Sequence, residues 1–365
     1  MNNETKNNVF VSNLPVLLGG ITLGGVVVFT STSKIHESFK LKREKRLADI
    51  DSVEFPPELE HLYEEVSYEN LSGLSKRKFG DELLHFSKVI TDNFDESDLI
   101  NFYNNIVNLD TYETDFKKRN KKYKNSILEV RGSYVVNNNS IFLNPDDFKS
   151  TIYHELFHMS SSKVDENVVY SGFSQSKLGV KVGDALNEGY TQLLTERYFS
   201  EDEIIKSYVY FVRIALLTEK IIGKEKMEKL YLHSDLYGLI DELKKYAYYQ
   251  DIMEFLSNLD FVFYHLDDKR VSSIKKKMIE KSLKQISEFL LLTYSIKLND
   301  MYSSDYLANS ENAMNDINEY LSLLPARVNV GDKSFIYGVL DDKLLEKISD
   351  NLYEFGIVSR NSKTL

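Results

Sequence analysis

Apolar residues fall at helical spacing along most of the chain. In "DELLHFSKVITDNF", Asp81 to Phe94, the residues Leu84, Phe86, Val89 and Ile90 lie near one helix face. "DESDLINFYNNIVNL" opens on capping residues and then repeats the pattern. Helix is therefore expected from Glu58 to about Lys124. Beyond Phe199 almost everything again reads as helix. "EIIKSYVYFVRIALLTEKII", "LYGLIDELKKYAYY", "IMEFLSNLDFVFYHL" and "SIKKKMIEKSLKQISEFLLLTY" have helical apolar periods and few breakers, and Pro325 is the only proline after Pro145.

Between these runs the texture changes. In "ILEVRGSYVVNNNSIFLNPDDF", Val130, Tyr134, Val135 and Val136 read as one strand, "NNNS" as a turn and "SIFLN" as the returning strand. Asn144-Pro145 ends that strand, and Asp146 or Asp147 can cap a helix running through "DFKSTIYHELFHM". "VVYSGF", Val168 to Phe173, reads as another strand. "QSKLGVKVGDALNEGYTQLLTERYF" then passes from a glycine-containing loop into a second helix beginning near Asp184. The pattern predicts a mainly α (α+β) fold with a small central sheet.

The front of the chain follows a different rule. "VFVSNLPVLLGGITLGGVVVF", residues 9–29, lies in a stretch without charge. It is long enough to cross a hydrocarbon core of about 30 Å as a helix. Gly20 and Gly24 form a GxxxG pair, a weak helix-association signal. Lys34, Lys40, Lys42, Arg43, Lys45 and Arg46 follow it, so the positive-inside rule places the C-terminal side in the cytoplasm. A cleavable signal peptide would carry its positive charge first and an A-x-A-like site afterwards, whereas "VFTSTSK" is a poor cleavage site and the charge lies on the other side. A signal peptide and a buried hydrophobic hairpin are the alternatives to a retained single-pass anchor. The expected organisation is an anchor over 1–33, a basic juxtamembrane stalk over 34–57, a catalytic domain with a helical N-terminal part over 58–200, and a helical subdomain over 201–365.

Composition narrows the chemistry. The 365 residues carry a formal net charge of −11, so phosphate-backbone binding, and with it a nucleic-acid partner, is not expected. There is no cysteine. Disulfides, thiolate ligands and cysteine nucleophiles are therefore excluded, and any metal must be held by His, Asp or Glu.

Of only seven histidines, two lie in "YHELFH". On a helix, His154 and His158 share a face, with Cβ atoms about 5–6 Å apart, and both can reach one zinc ion. Glu155 lies about 100° round the axis, where its carboxylate can reach a water on that ion without being a ligand. The plain alternative is a surface His pair with an intervening Glu. Zinc needs a third protein ligand and an open position. Ser161 and Val164 stand where the longer H-E-x-x-H-x-x-G-x-x-H pattern requires Gly and His, so the third ligand is not on that loop. A carboxylate from the next helix is the other source. Glu188 in "ALNEGYTQLL" is the candidate, with Asp165, Glu166, Asp184 and Glu196 as rivals, and first-turn helix electrostatics as its ordinary explanation. Gln192, one turn on, shares the face of Glu188 and can hydrogen-bond a ligand. His36, His61, His85 and His265 have no partner pattern.

"YHELFH" followed by "ALNEGYTQLL" resembles the gluzincin class of zinc metallopeptidases, over roughly Ser140 to Phe199. The resemblance implies a zincin-like core with an active-site helix, Zn2+ bound by His154, His158 and Glu188, and Glu155 as general base. It also implies that a peptide or protein substrate pairs with an edge strand beside that helix, a place that strand 140–144 occupies in the sequence. Gln192 stands where some members have an Asp that orients a histidine. For the group that stabilises the oxyanion, Tyr190, Tyr198 and His233 are candidates, with packing as the alternative for each. The function expected is a membrane-anchored zinc metallopeptidase. The alternatives are a non-catalytic membrane-anchored interaction protein with a vestigial or structural zinc site, and metal-dependent hydrolysis of another bond.

Overall fold

In the computed structural model, the residues described are 71–114, 131–145, 148–199, 208–302, 306–325, 327–336 and Ile348. All of them belong to one compact unit, Phe55–Leu365. The expected membrane segment over residues 9–29 and the stalk over 34–57 lie outside the described residues. Among the described residues no helix is long and apolar enough to cross a membrane.

The fold is mainly α with small sheets. Helix α1 (Gly73–Asn93) is capped by Ser72, whose Oγ accepts the Ser75 N–H, and it bends at Phe79. A 3-10 turn leads into α2 (Ile100–Ile106). The first sheet then forms from β1 (Asp110–Glu113), β2 (Gly132–Val135) and β3 (Ser140–Leu143), in the order β1-β3-β2. Strand β3 pairs parallel to β1 (Thr111 opposite Ile141) and antiparallel to β2 (Tyr134 opposite Ile141). The turn between β2 and β3 ends on Asn139 in the left-handed region at φ 44°.

Helix α3 (Phe148–Ser160) carries the HExxH stretch and packs on β2, β3, α1 and α2. Ile152, Tyr153, Leu156, Phe157 and Met159 are all buried, so the helix is enclosed rather than laid on a surface. Phe157 meets Phe86 edge-on at 5.1 Å between ring centroids, and Tyr153 stacks on Phe199 at 4.2 Å.

After α3 the chain makes an antiparallel meander of β4 (Ser162–Asp165), β5 (Val168–Ser171), β6 (Ser174–Lys177) and β7 (Val180–Val182). The sequence showed only β5 of these. Helix α4 (Asp184–Tyr198) follows, as expected, and packs on α3, α5 (Val209–Ile222) and α8 (Tyr249–Tyr264). Its first turn has no side-chain cap of its own, since Gly183 occupies the cap at φ 83°. The cap comes from α8 instead. Asp260 accepts the N–H of Gly183 at 2.7 Å and of Ala185 at 2.9 Å.

The far end of α4 is tied to α5 and α6 (Lys224–Leu232) by a buried charge network. Arg197 donates to both oxygens of Glu219 at 2.6 and 3.0 Å and to Glu228 at 2.7 Å. The hydroxyls of Tyr190 and Tyr198 donate to Glu219 and Glu228, each at 2.8 Å. Helix α7 (Leu236–Leu243), the 30-residue α9 (Ser273–Tyr302), α10 (Tyr306–Leu323) and a hairpin of β8 (Arg327–Val330) and β9 (Lys333–Ile336) complete the unit. That hairpin and β1 fall in stretches expected to be helical.

Candidate metal centre

Three side chains converge between α3 and α4. The Nε2 atoms of His154 and His158 are 3.1 Å apart. Glu188 places one carboxylate oxygen 3.3 Å from His154 Nε2 and the other 3.5 Å from His158 Nε2. Around an ion bonded at about 2.0–2.1 Å, tetrahedral ligand atoms lie about 3.3–3.4 Å apart; one donor atom from each of the three side chains lies within 4.8 Å of the other two, a spacing that a zinc-sized ion can draw together. His154, His158 and Glu188 are the one group of three metal-capable side chains that comes together among the described residues. The two histidines and Glu155 are buried, while Glu188 is half-buried.

The surroundings fix the ring orientations. Gln192 Oε1 lies 3.1 Å from His154 Nδ1, and Gln192 Nε2 donates to Glu196 at 3.0 Å. With its amide nitrogen committed to a carboxylate, Gln192 can only accept from His154. Nδ1 therefore carries the proton, and Nε2 keeps its lone pair for a metal. The groups nearest His158 Nδ1 are Asn187 Nδ2 at 3.4 Å and Thr191 Oγ1 at 3.5 Å. Asn187 is oriented in turn by accepting the Phe173 N–H at 3.0 Å. That contact depends on Gly172, which turns at φ 49° where a Cβ would run into Asn187 and Tyr231.

Burial raises the Glu188 carboxyl, but where the imidazoles are protonated the charge of His158 and hydrogen bonds from both histidines outweigh it and hold it well below the usual range. It stays anionic, as a ligand must. Burial pushes Glu155 up to about 7, with His154 and a backbone N–H pulling down and the charge of Glu188 pushing up. A carboxyl in that range suits proton transfer near neutral pH. Glu155 Oε2 accepts the backbone N–H of Tyr134, in β2, at 2.7 Å.

Other residues singled out in the sequence lie elsewhere. Asp165 and Glu166 are exposed in the meander. Asp184 accepts from Ser174 and from Tyr264, the latter at 2.8 Å, and pairs with Lys181 at 3.1 Å. Of the oxyanion candidates, Tyr190 and Tyr198 serve the Arg197 network, and His233 pairs with Asp98 at 2.7 Å. His85 packs against Tyr153 and Phe199, and His265 pairs with Asp268. His36 and His61 lie outside the described residues.

Two findings revise the sequence reading. Strand 140–144 does not occupy an edge, because β3 is the central strand and its backbone groups are taken by β1 and β2. Among the described residues, β2 is the edge strand that faces α3. The second is Tyr208, at the start of α5. Its ring centroid is 6.1 Å from that of His154. Burial, then the charges of Glu188 and Glu155, raise its phenol well above the ordinary value. Its backbone is left-handed at φ 55°, a costly conformation for a tyrosine. Nothing in the sequence separates it from the other 23 tyrosines among the 24.

No protein-family model matches this chain, and no curated protein or solved structure matches it.

Proposed function

We propose that this protein is a zinc-dependent metallopeptidase, with His154, His158 and Glu188 as metal ligands and Glu155 as general base. The observation that carries the reading is the convergence of one donor atom each from His154, His158 and Glu188, all within 4.8 Å of one another, beside a separate buried carboxylate. When bound, the ion supplies Lewis acidity that polarises a scissile carbonyl and acidifies water. Glu155 takes the proton of the attacking water and delivers it to the leaving amine. Tyr208, whose ring centroid lies 6.1 Å from that of His154, is the candidate to donate to the developing oxyanion. An extended peptide is received on β2 rather than β3, since β2 has the edge beside Glu155. Residues 9–29 serve as a membrane anchor, with the basic residues after them on the cytoplasmic side.

A structural metal site is normally closed by four protein ligands, whereas a catalytic one keeps a position open. Among the described residues only three donors converge. That favours catalysis over the structural role. The test pairs metal analysis with peptide hydrolysis. Wild type and Glu155→Gln should both retain about one zinc per chain, with turnover lost only in the variant. His154→Ala and Glu188→Ala should lose the metal itself. Full hydrolysis by Glu155→Gln would refute the mechanism.

A further inference from the structure

Gly132 is the first residue of β2, and glycine is disfavoured in strands because it offers no side chain to pack and has much backbone freedom to lose. The structure supplies a reason for it. A Cβ at position 132 would lie 2.5 Å from Thr151 Cγ2, 2.7 Å from Glu155 Oε1 and 3.0 Å from Glu155 Cγ. The space of the missing side chain is thus taken by Thr151 and Glu155 together. Two residues on, the Tyr134 N–H donates to the other oxygen of the same carboxylate at 2.7 Å.

Strand register explains why that N–H is available. Asn144 donates to the Arg131 carbonyl at 2.7 Å, and Gly132 stands opposite Leu143. In an antiparallel pair, hydrogen-bonded and non-hydrogen-bonded residues alternate. Residues 131, 133 and 135 therefore bond to β3, while 132 and 134 direct their backbone groups away from it. Shifting β2 by one residue would turn the Tyr134 N–H back toward β3 and place a side chain against Glu155.

We propose that the β2 backbone is the seat of the general base: Gly132 and the Tyr134 N–H clasp Glu155 on two sides and fix its carboxylate for proton transfer. They are positioning residues for the reaction proposed above, and the inference rests on that reading. Glu155 is only 6% exposed, so ordered protein contacts rather than solvent set its orientation. A base fixed before substrate arrives requires little reorganisation in the transition state.

The test uses the full-length zinc-loaded protein and residue-resolved hydrogen exchange along β2. In Glu155→Ala the Tyr134 amide should exchange about 10-fold faster or more, with Ser133 and Val135 unchanged. Glu155→Gln keeps an acceptor oxygen and should keep the protection. Gly132→Ala should expose the same amide and lower kcat about 100-fold, with KM and zinc content unchanged. Combining it with Thr151→Ser removes the clash with the stiff Thr methyl, so a folding defect is separated from a displaced base. In the Glu155→Gln background, Gly132→Ala should have no further effect on kcat. Equal Tyr134 exchange in wild type and Glu155→Ala would overturn the proposal, as would wild-type kcat in Gly132→Ala/Thr151→Ser. If wild type hydrolyses no peptide while Tyr134 protection still depends on Glu155, the peptidase reading falls and the seat stands.

Discussion

Replacing Arg197 with methionine removes the only guanidinium of the network behind α4 while keeping much of the side-chain volume. Three charge-assisted hydrogen bonds disappear. Glu219 and Glu228, 5% and 6% exposed, are left with one tyrosine hydroxyl each and with Lys224 at 3.9 Å from Glu228. Breaking a buried ion pair from one side costs about 3–5 kcal/mol, because the remaining charge stays desolvated. The Arg197 side chain is 21% exposed, which favours the lower end, so about 3 kcal/mol is expected. That is a large share of a typical total of about 5–15 kcal/mol. Arg197→Lys keeps the charge but not the planar fork and should lose less. The measurement is urea denaturation of the metal-free protein followed by far-UV circular dichroism. Omitting metal keeps ligand binding from contributing to the apparent stability. Adding Glu219→Gln and Glu228→Gln to Arg197→Met should recover part of the loss, since no uncompensated charge then remains. A loss below about 1 kcal/mol would refute the reasoning, because it would make the network equivalent to an exposed ion pair.

Gln192→Ala removes the acceptor that holds His154 Nδ1–H and should weaken zinc binding about 10- to 100-fold, with little change in far-UV dichroism, as measured by competition with a chelator. The Asp98–His233 pair ties the 3-10 turn to the end of α6. Burial pushes the Asp98 carboxyl up, but His233 and Lys229 outweigh it and leave the group below its ordinary value of 3.8. A depressed acid stabilises the folded state above its unfolded pKa, and that contribution fades as pH falls through the folded value. The stability difference between wild type and Asp98→Asn should therefore shrink as pH falls below about 4, read by denaturant midpoints across pH.

The helices were legible because their apolar spacing states both the element and the buried face. Helix α4 begins at Asp184 as its sequence suggested, and α8 and α9 contain their expected apolar runs. The convergence of His154, His158 and Glu188 was legible for a related reason. Positions four apart share a helix face, and the failed glycine and histidine at 161 and 164 pointed to the next helix for a third side chain. Short strands left less trace. "DTYE" in β1 shows no apolar alternation, and its place beside β3 is set by parallel pairing across thirty residues. The β6–β7 stretch reads as loop because serine, glutamine and lysine dominate it. The β8–β9 hairpin did leave a signal. Val328 and Val330 alternate inward, and Gly331 turns at φ 57°, but the surrounding helical texture masked it. Strand order was not legible at all, and that is why β3 was expected at an edge. Nor was Tyr208, whose approach to His154 depends on how the chain enters α5.

The cap on α4 bears on the order of events during synthesis. Asp260 receives the amides of Gly183 and Ala185 from 77 and 75 residues further along the chain. The nascent protein emerges N-terminus first, so the HExxH helix and the Glu188 helix leave the ribosome well before the carboxylate that anchors the second of them. Until α8 arrives, the start of that helix can fray, and Glu188 has no fixed place beside the histidines. The C-terminal helices thus set the order of assembly as well as the scaffold: the three side chains of the candidate metal site take up their arrangement only after residue 260 has been made.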